Sequence, residues 1–341
     1  MRWENLTVDQ QREATLPGFK EPAVVRTFDA PEALGTRFYE IRARSAINDV
    51  PKRSRMPFRH TINPYRGCAH ACTYCFARPT HTYLDFNARE DFEREIVVKV
   101  NAPELVRAEL ARPSWKGDHV ALGTNTDPYQ WVEGRYRLME GIWEAMRDFA
   151  NPCSVLTKSP LLLRDIELMK ELVEVTEFAA NLSVPTLDEK AWRETEPHTP
   201  HPRKRLEAVA ELNRAGVPTS VLIAPLIPGV NDAPEQVEPL LELAGEAGAR
   251  TVGGVGLHLR GEVREIWFDW LRQYRPDLIP RYRDLYRRGA YMPSAERERL
   301  AAMARRGKGL RGTRRVREGD GGDRSGETAV SPPPERQTSL F

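Results

Sequence analysis

Between residues 58 and 257 the apolar positions change period again and again. Short β-like runs at 58–65, 97–100, 119–123, 154–157, 177–184, 217–227 and 250–257 alternate with stretches whose apolar residues recur at helical spacing. Leu105, Val106 and Leu110 mark a helix over 103–111. Leu138, Ile142, Met146 and Phe149 mark one over 136–149, and 161–173, 203–215 and 234–247 read the same way. Such alternation predicts parallel βαβ units with right-handed crossovers. About six units fit, too few for an eight-fold barrel, so the expected fold is α/β, an open, partial (β/α)6 TIM-type barrel with its active face at the strand C-termini. Two further helical segments, 263–273 and 278–288, bring Trp267, Phe268, Trp270, Leu271 and Tyr274 to pack on it. A last helix over 294–304 has Ser294 as its expected N-cap and Glu296 and Glu298 in its first turn.

The two ends lack this patterning. Residues 1–57 are polar and broken by Pro17-Gly18, Pro22, Pro31 and Pro51, and read as an irregular, solvated extension. Residues 306–341 are rich in Gly, Arg, Ser and Pro and read as a disordered basic tail. The expected organisation is therefore an extension (1–57), the barrel (58–260), a helical segment (261–305) and the tail (306–341).

Net charge is only +2, which gives no global polyanion signal. The charge is uneven, however: Arg305, Arg306, Lys308, Arg311, Arg314, Arg315 and Arg317 lie in a stretch without an acid. No run of eighteen apolar residues occurs and the first residues carry no apolar signal core, so a soluble, cytoplasmic protein is expected.

The strongest chemical signal is the segment Asn63-Pro64-Tyr65-Arg66-Gly67-Cys68-Ala69-His70-Ala71-Cys72-Thr73-Tyr74-Cys75. It holds three of the four cysteines at C-x3-C-x2-C spacing, poor for disulfides and good for metal. Thiolates are soft ligands for iron–sulfur clusters and zinc. Three on one loop can wrap one inorganic cluster and leave one metal corner without a protein ligand. Zinc would need a fourth donor, for which His70, His81 and Cys153 are available.

This spacing, with Tyr74 before the last cysteine and a strand before the loop, resembles the signature of the radical S-adenosylmethionine superfamily. The resemblance implies an enzyme in which Cys68, Cys72 and Cys75 hold a [4Fe-4S] cluster that binds S-adenosyl-L-methionine at its open iron and cleaves it reductively to a 5′-deoxyadenosyl radical. It also implies an external electron donor of flavodoxin or ferredoxin type. Cofactor contacts are expected from Tyr74, from Gly123, Thr124 and Asn125 after the second full strand, from Lys158 and Ser159 after the next, and from Asn181 and Ser183 on one face of the following strand. Ile223, Ala224, Pro225 and Leu226 would supply an apolar wall near the adenine.

Asn63 to Cys68 and Thr126-Asp127-Pro128-Tyr129 are similar to the group related to spore photoproduct lyase. That enzyme repairs a thymine dimer in DNA with a cysteine hydrogen donor near the end of the second strand; here Thr124 and Asn125 stand in that region. Tyr129 and Asp127 are the catalytic candidates, and a lyase or a transferase reaction fits equally. The alternatives are a DNA photoproduct repair lyase and a non-catalytic iron–sulfur or zinc protein that binds DNA or the sliding clamp.

Arg193, Glu194, Glu196, His198, His201, Arg203 and Arg205 form a charged loop or a second metal site. His258 and Arg260 are substrate-contact candidates. The ending Gln337-Thr338-Ser339-Leu340-Phe341 resembles a bacterial clamp-binding peptide, with Leu340 and Phe341 for an apolar pocket and Gln337 for its rim. Residues 305–317 would then hold nucleic-acid phosphates.

Overall fold

The computed structural model describes residues 8–304, apart from 20, 34, 52, 53 and 55. The expected tail, its basic run and the clamp-like peptide lie outside the described residues. In chain order the strands are β1 (Val8–Thr15), β2 (Pro22–Phe28), β3 (Arg37–Ile41), β4 (Ile47–Asp49), β5 (His60–Ile62), β6 (Tyr65–Arg66), β7 (Glu95–Lys99), β8 (Val120–Leu122), β9 (Cys153–Thr157), β10 (Phe178–Ser183), β11 (Thr219–Leu226) and β12 (Val252–Gly256). The main sheet runs β12-β11-β10-β9-β8-β5-β4. From β5 to β12 every pairing is parallel and in chain order, and β4 adds an antiparallel edge. Six parallel strands with helical crossovers are what the periodicity predicts. The sheet is open, as expected for six units: among the described residues no pairing joins β12 to β4.

The helices bury the face that their sequence prescribes. In Leu138–Asp148, Leu138, Met139, Ile142, Trp143, Ala145 and Met146 are buried, and Trp143 meets Phe178 of β10 edge-to-face at 5.4 Å. Phe149, expected on that face, instead caps the helix end and is exposed, because the helix stops at Asp148. In the C-terminal part Trp267 and Trp270 stack at 4.4 Å as part of the main core, as their pattern predicts. Helix Ser294–Met303 lies against β12, where glycine makes room: a Cβ at Gly254 would stand 2.6 Å from the Ala304 Cβ. Ser294 is the first helical residue rather than its cap, since the extended Pro293 precedes it.

The largest departure from expectation is at the N-terminus. Residues 8–41 are not irregular. They form three strands of a second sheet, ordered β1-β2-β3-β7-β6. The prolines that suggested disorder sit where strands tolerate them: Pro22 opens β2 and Pro31 opens a short 3-10 turn. The run at 97–100 belongs to this second sheet, paired parallel with β3, and not to the parallel sheet. Phe38 of β3 is fully buried and packs against Phe28 (5.2 Å), Trp131 (5.4 Å) and Tyr136 (6.5 Å).

The expected first strand is likewise two. β5 pairs with β8 in the main sheet, and after Asn63-Pro64 the chain enters β6, which pairs with β7 in the other. The cysteine loop begins at that crossing. Among the described residues no helix is long and apolar enough to cross a membrane.

Phe38→Ala is expected to cost about 3–5 kcal/mol of stability, as deletion of a buried aromatic ring usually does. Urea unfolding measures it; an irregular, solvated N-terminus would show almost no loss.

Candidate active site

The cysteine loop is fastened before any ligand arrives. Gly67 opens it with φ +84°, and a Cβ there would lie 2.9 Å from the Phe92 carbonyl oxygen and the Ile96 Cδ1. The Cys68 amide donates to that same carbonyl (2.9 Å). The buried Arg78 guanidinium donates to the carbonyls of Cys72 (2.9 Å), Ala71 (3.0 Å), Ala88 (3.1 Å) and Arg89 (2.9 Å), and pairs with Glu93. One side chain thereby ties two loop carbonyls to two from the segment that leads into helix Glu90–Arg94.

The segment after β8 supplies the other half of the frame. Gly123 has φ +85°, and a Cβ there would stand 2.1 Å from the Leu156 carbonyl, so glycine is required. Thr126 donates from Oγ1 to the Gly67 carbonyl (2.6 Å), and the Ala69 amide donates to Gln130 Oε1 (3.0 Å). Asn63 Oδ1 accepts from the Asn125 amide (2.9 Å) and Asn63 Nδ2 donates to Thr124 Oγ1 (3.3 Å), joining the ends of β5 and β8.

Asp127 is buried and accepts from Thr157 Oγ1 (2.6 Å), the Lys158 amide (2.8 Å) and the Tyr129 amide (2.9 Å); His70 Nδ1 stands 3.2 Å away as an ion pair. Burial opposes its charge, but His70 and these donors hold the carboxyl below its usual range. The geometry makes Asp127 a junction between loops. Tyr129 is fully buried too. Its hydroxyl donates to Asp165 (2.8 Å) and accepts from Trp143 Nε1 (2.6 Å), so it sits within the helix–sheet core.

Beside the loop lies a buried polar network. Tyr74 donates to Glu196, and Lys158 Nζ lies 5.8 Å from the centre of the Tyr74 ring. Lys158 donates to Ser183 Oγ (2.7 Å) and pairs with Glu196 (3.1 Å); Ser183 in turn donates to the Ala224 carbonyl (3.1 Å). Arg205, fully buried, pairs with Glu196 at 2.6 Å. Burial alone would raise the pKa of Glu196, but Arg205 and Lys158 outweigh it and bring it down to about 2. Burial, with Glu196 adding to it, pushes the Tyr74 phenol well above its ordinary value.

The remaining expected contacts divide. Asn181 lies on the same strand face as Ser183. It donates to the Val155 carbonyl (3.2 Å), and its amide oxygen accepts nothing among the described residues. Ser159 caps the following 3-10 helix by accepting from the Leu161 amide (3.2 Å). In the expected adenine wall, Ile223 and Leu226 point into the main core, whereas Ala224 and Pro225 are half-buried on the other side. Of the charged residues at 193–205, only Glu196 and Arg205 are buried and join the site. Arg193 pairs with Glu189 on the surface, and His201 caps helix Pro202–Arg214.

Sequence reasoning singled out neither Arg78 nor Gln130. Their type is unremarkable, and their importance comes from contacts across 6 to 63 positions.

The donor set fits an iron–sulfur cluster. Cys68 and Cys72 are buried, Cys75 is half-buried, and all are free thiols. Burial raises the thiols of Cys72 and Cys75, each further by its cysteine neighbours, so loading a metal must displace protons. Among the described residues no three His, Cys, Asp or Glu side chains close on a single point tightly enough for one ion. Of the candidate fourth donors, His81 uses Nε2 on the Glu95 carbonyl (2.9 Å), His70 turns Nδ1 to Asp127 (3.2 Å), and Cys153 lies at the far end of β9 from Lys158.

Comparison with known proteins gives the family. The profile of the Radical SAM superfamily matches residues 62–244, and this chain belongs to that superfamily. Its members use a four-iron, four-sulfur cluster and S-adenosylmethionine. The chain is 44% identical to the uncharacterized protein Rv2578c of Mycobacterium tuberculosis over 304 residues, 88% of this chain and 89% of that protein. It is 27% identical over 194 residues to the uncharacterized protein MJ0683 of Methanocaldococcus jannaschii. Among solved structures it is similar to spore photoproduct lyase with a TM-score of 0.58 at 14% identity, over 78% of this chain and 77% of that one; that structure carries AdoMet and dinucleoside spore photoproduct. At this identity the likeness concerns the fold.

The depressed Glu196 pKa has a sign that can be tested. Its folded value of about 2 lies below the usual 4.5, so its stabilising contribution is complete above pH 4.5 and is lost as pH falls through 2. The shift corresponds to roughly 3 kcal/mol. The unfolding free energy of the wild type is expected to fall across that window more steeply than that of Glu196→Gln. At pH 7 the variant is expected to lose about 3–5 kcal/mol, because Arg205 is left as a buried, uncompensated charge.

Proposed function

We propose that this chain is a radical enzyme that abstracts hydrogen from its substrate at the C-terminal ends of the parallel strands. The observation that carries this reading is the joining of the Cys68, Cys72 and Cys75 loop, through Tyr74, to the buried Glu196, Lys158 and Ser183 network. When bound, the cluster supplies an electron that breaks a carbon–sulfur bond of S-adenosylmethionine and yields the 5′-deoxyadenosyl radical. An external flavodoxin- or ferredoxin-type protein is the proposed electron source.

The chain's own residues do the placing. Lys158 uses two of its three N–H donors on Ser183 and Glu196. The third is assigned to the carboxylate of S-adenosylmethionine, and the two partners fix the direction of the side chain. Backbone at Gly123, Thr124 and Asn125, held by Asn63, is assigned to the methionine amine. The unused amide oxygen of Asn181 is assigned to a ribose hydroxyl, and Ala224 and Pro225 to the adenine edge. Tyr74, clamped to Glu196, excludes water on the near side of the loop.

DNA photoproduct repair of the spore photoproduct lyase kind is not the reading favoured here. Thr124 and Asn125 stand where a donor cysteine is expected, the Tyr129 hydroxyl is engaged in the core, and Cys153 is buried at the start of β9. The basic residues at 305–317 and the terminal Gln337 to Phe341 are proposed to recruit nucleic acid and the sliding clamp.

Anaerobically reconstituted wild type with a low-potential reductant is expected to form 5′-deoxyadenosine, and Cys72→Ala is expected to form none above background. Lys158→Met should raise the S-adenosylmethionine Kd by about 10- to 100-fold, the usual range for a hydrogen bond to a charged group. Equal turnover by wild type and Cys72→Ala would end the proposal.

A further inference from the structure

A row of aromatic rings stands beside the cysteine loop and takes no part in the network above. Phe76 follows Cys75 directly and is 47% exposed. Its ring lies 5.6 Å from that of His258, which in turn stacks on Tyr291 at 5.6 Å and 23°. Tyr291 is 52% exposed. Three separate stretches thus meet: the cysteine loop, the segment leaving β12, and the turn before the last helix.

The row is held in place. The Leu259 amide donates to the Ala290 carbonyl (2.8 Å), which lays Tyr291 beside His258. Arg264 secures the same turn by donating to the carbonyls of Tyr286 (2.9 Å) and Gly289 (3.3 Å). Large aromatics are more often buried than exposed; here Phe76, tilted 37° to His258, and Tyr291, stacked on it, end one row and leave ring faces free for another planar ring. Arg260, two residues beyond His258, is exposed, has no carboxylate partner among the described residues, and acts on His258 electrostatically. Flat rings plus an unneutralised guanidinium favour a ligand that is planar and anionic at once. A nucleobase on its phosphate backbone has both properties; an aromatic peptide has only the first.

We infer that Phe76, His258 and Tyr291 are a stacking platform for an unpaired base of a nucleic-acid strand, with Arg260 on the adjoining phosphate, and that this platform delivers the substrate to the cluster. The inference rests on the proposed radical chemistry only for the purpose of delivery; the stacking itself does not depend on it. Duplex bases are already stacked on one another, so the platform takes single-stranded or extruded bases.

The test measures binding by fluorescence anisotropy, using the reconstituted full chain with S-adenosylmethionine and no reductant. The probes are labelled dT10, U10 and an abasic ten-mer with the same backbone. The wild type is expected to bind dT10 or U10 at least about 10-fold more tightly than the abasic strand, since stacking one base on an aromatic ring is worth about 1–3 kcal/mol. Whichever of the two binds more tightly identifies DNA or RNA as the source of the base. Tyr291→Ala should lose that preference, whereas Tyr291→Phe should keep it.

Equal binding of the base-bearing and abasic strands by the wild type would overturn the inference. So would a preference that survives in Tyr291→Ala, or a tryptophan-containing peptide that binds in place of the strands. Base-dependent binding by a wild type that forms no 5′-deoxyadenosine would refute the radical chemistry and leave the platform standing.

Discussion

The structure depends on taking away the freedom of one loop. Three thiols can serve one ligand only if the backbone between them is already fixed, and fixing each residue costs about 1–2 kcal/mol in conformational entropy. Here that cost is met by contacts from outside the loop. Arg78 holds the carbonyls of Ala71 and Cys72, Thr126 holds that of Gly67, and Gln130 receives the amide of Ala69. The loop also leaves the crossing between two sheets, where Asn63 and Pro64 carry the chain from β5 to β6, so both ends of its first segment are anchored.

A second constraint is electrostatic. Glu196 and Arg205 are buried together with the Lys158 ammonium close by, and a pair so placed is tolerable only when each charge is compensated and bonded. The compensation fixes the direction of Lys158 and the position of the Tyr74 ring. It joins the cysteine loop to the helix region at 189–214 through one carboxylate. Asp127 does comparable work on the other flank, where Thr157, the Lys158 amide and His70 converge. Phe76 and Tyr291 stay exposed outside this interior, with His258 between them.

Much of this was legible in the sequence because it is periodic or local. The parallel strands and their helices follow from apolar spacing, and the gathering of three thiols on one loop follows from C-x3-C-x2-C. What was hidden is either short or distant. β1 to β3 are polar on one face and interrupted by prolines, so their alternation is weak until Phe38 is seen among Phe28, Trp131 and Tyr136. β6 has two residues and no period at all. Glu196 meets Tyr74 across 122 positions, a contact that no local pattern encodes. Ser159 and Tyr129 show the converse: residue types suited to a site that the fold uses as a helix cap and as core. Strand number and the openness of the sheet follow from the count of units, whereas how far the sheet curls toward a barrel is not visible in a sequence.

The loop is proposed to present a four-iron cluster with one iron open to S-adenosylmethionine. Low-temperature electron paramagnetic resonance of the anaerobically reconstituted, reduced protein tests it directly, with iron, sulfide and zinc measured on the same sample. The prediction is iron and sulfide in equal amounts and a cluster signal whose g-values shift when S-adenosylmethionine is added. A signal indifferent to the addition, or one zinc per chain in place of iron, would contradict it.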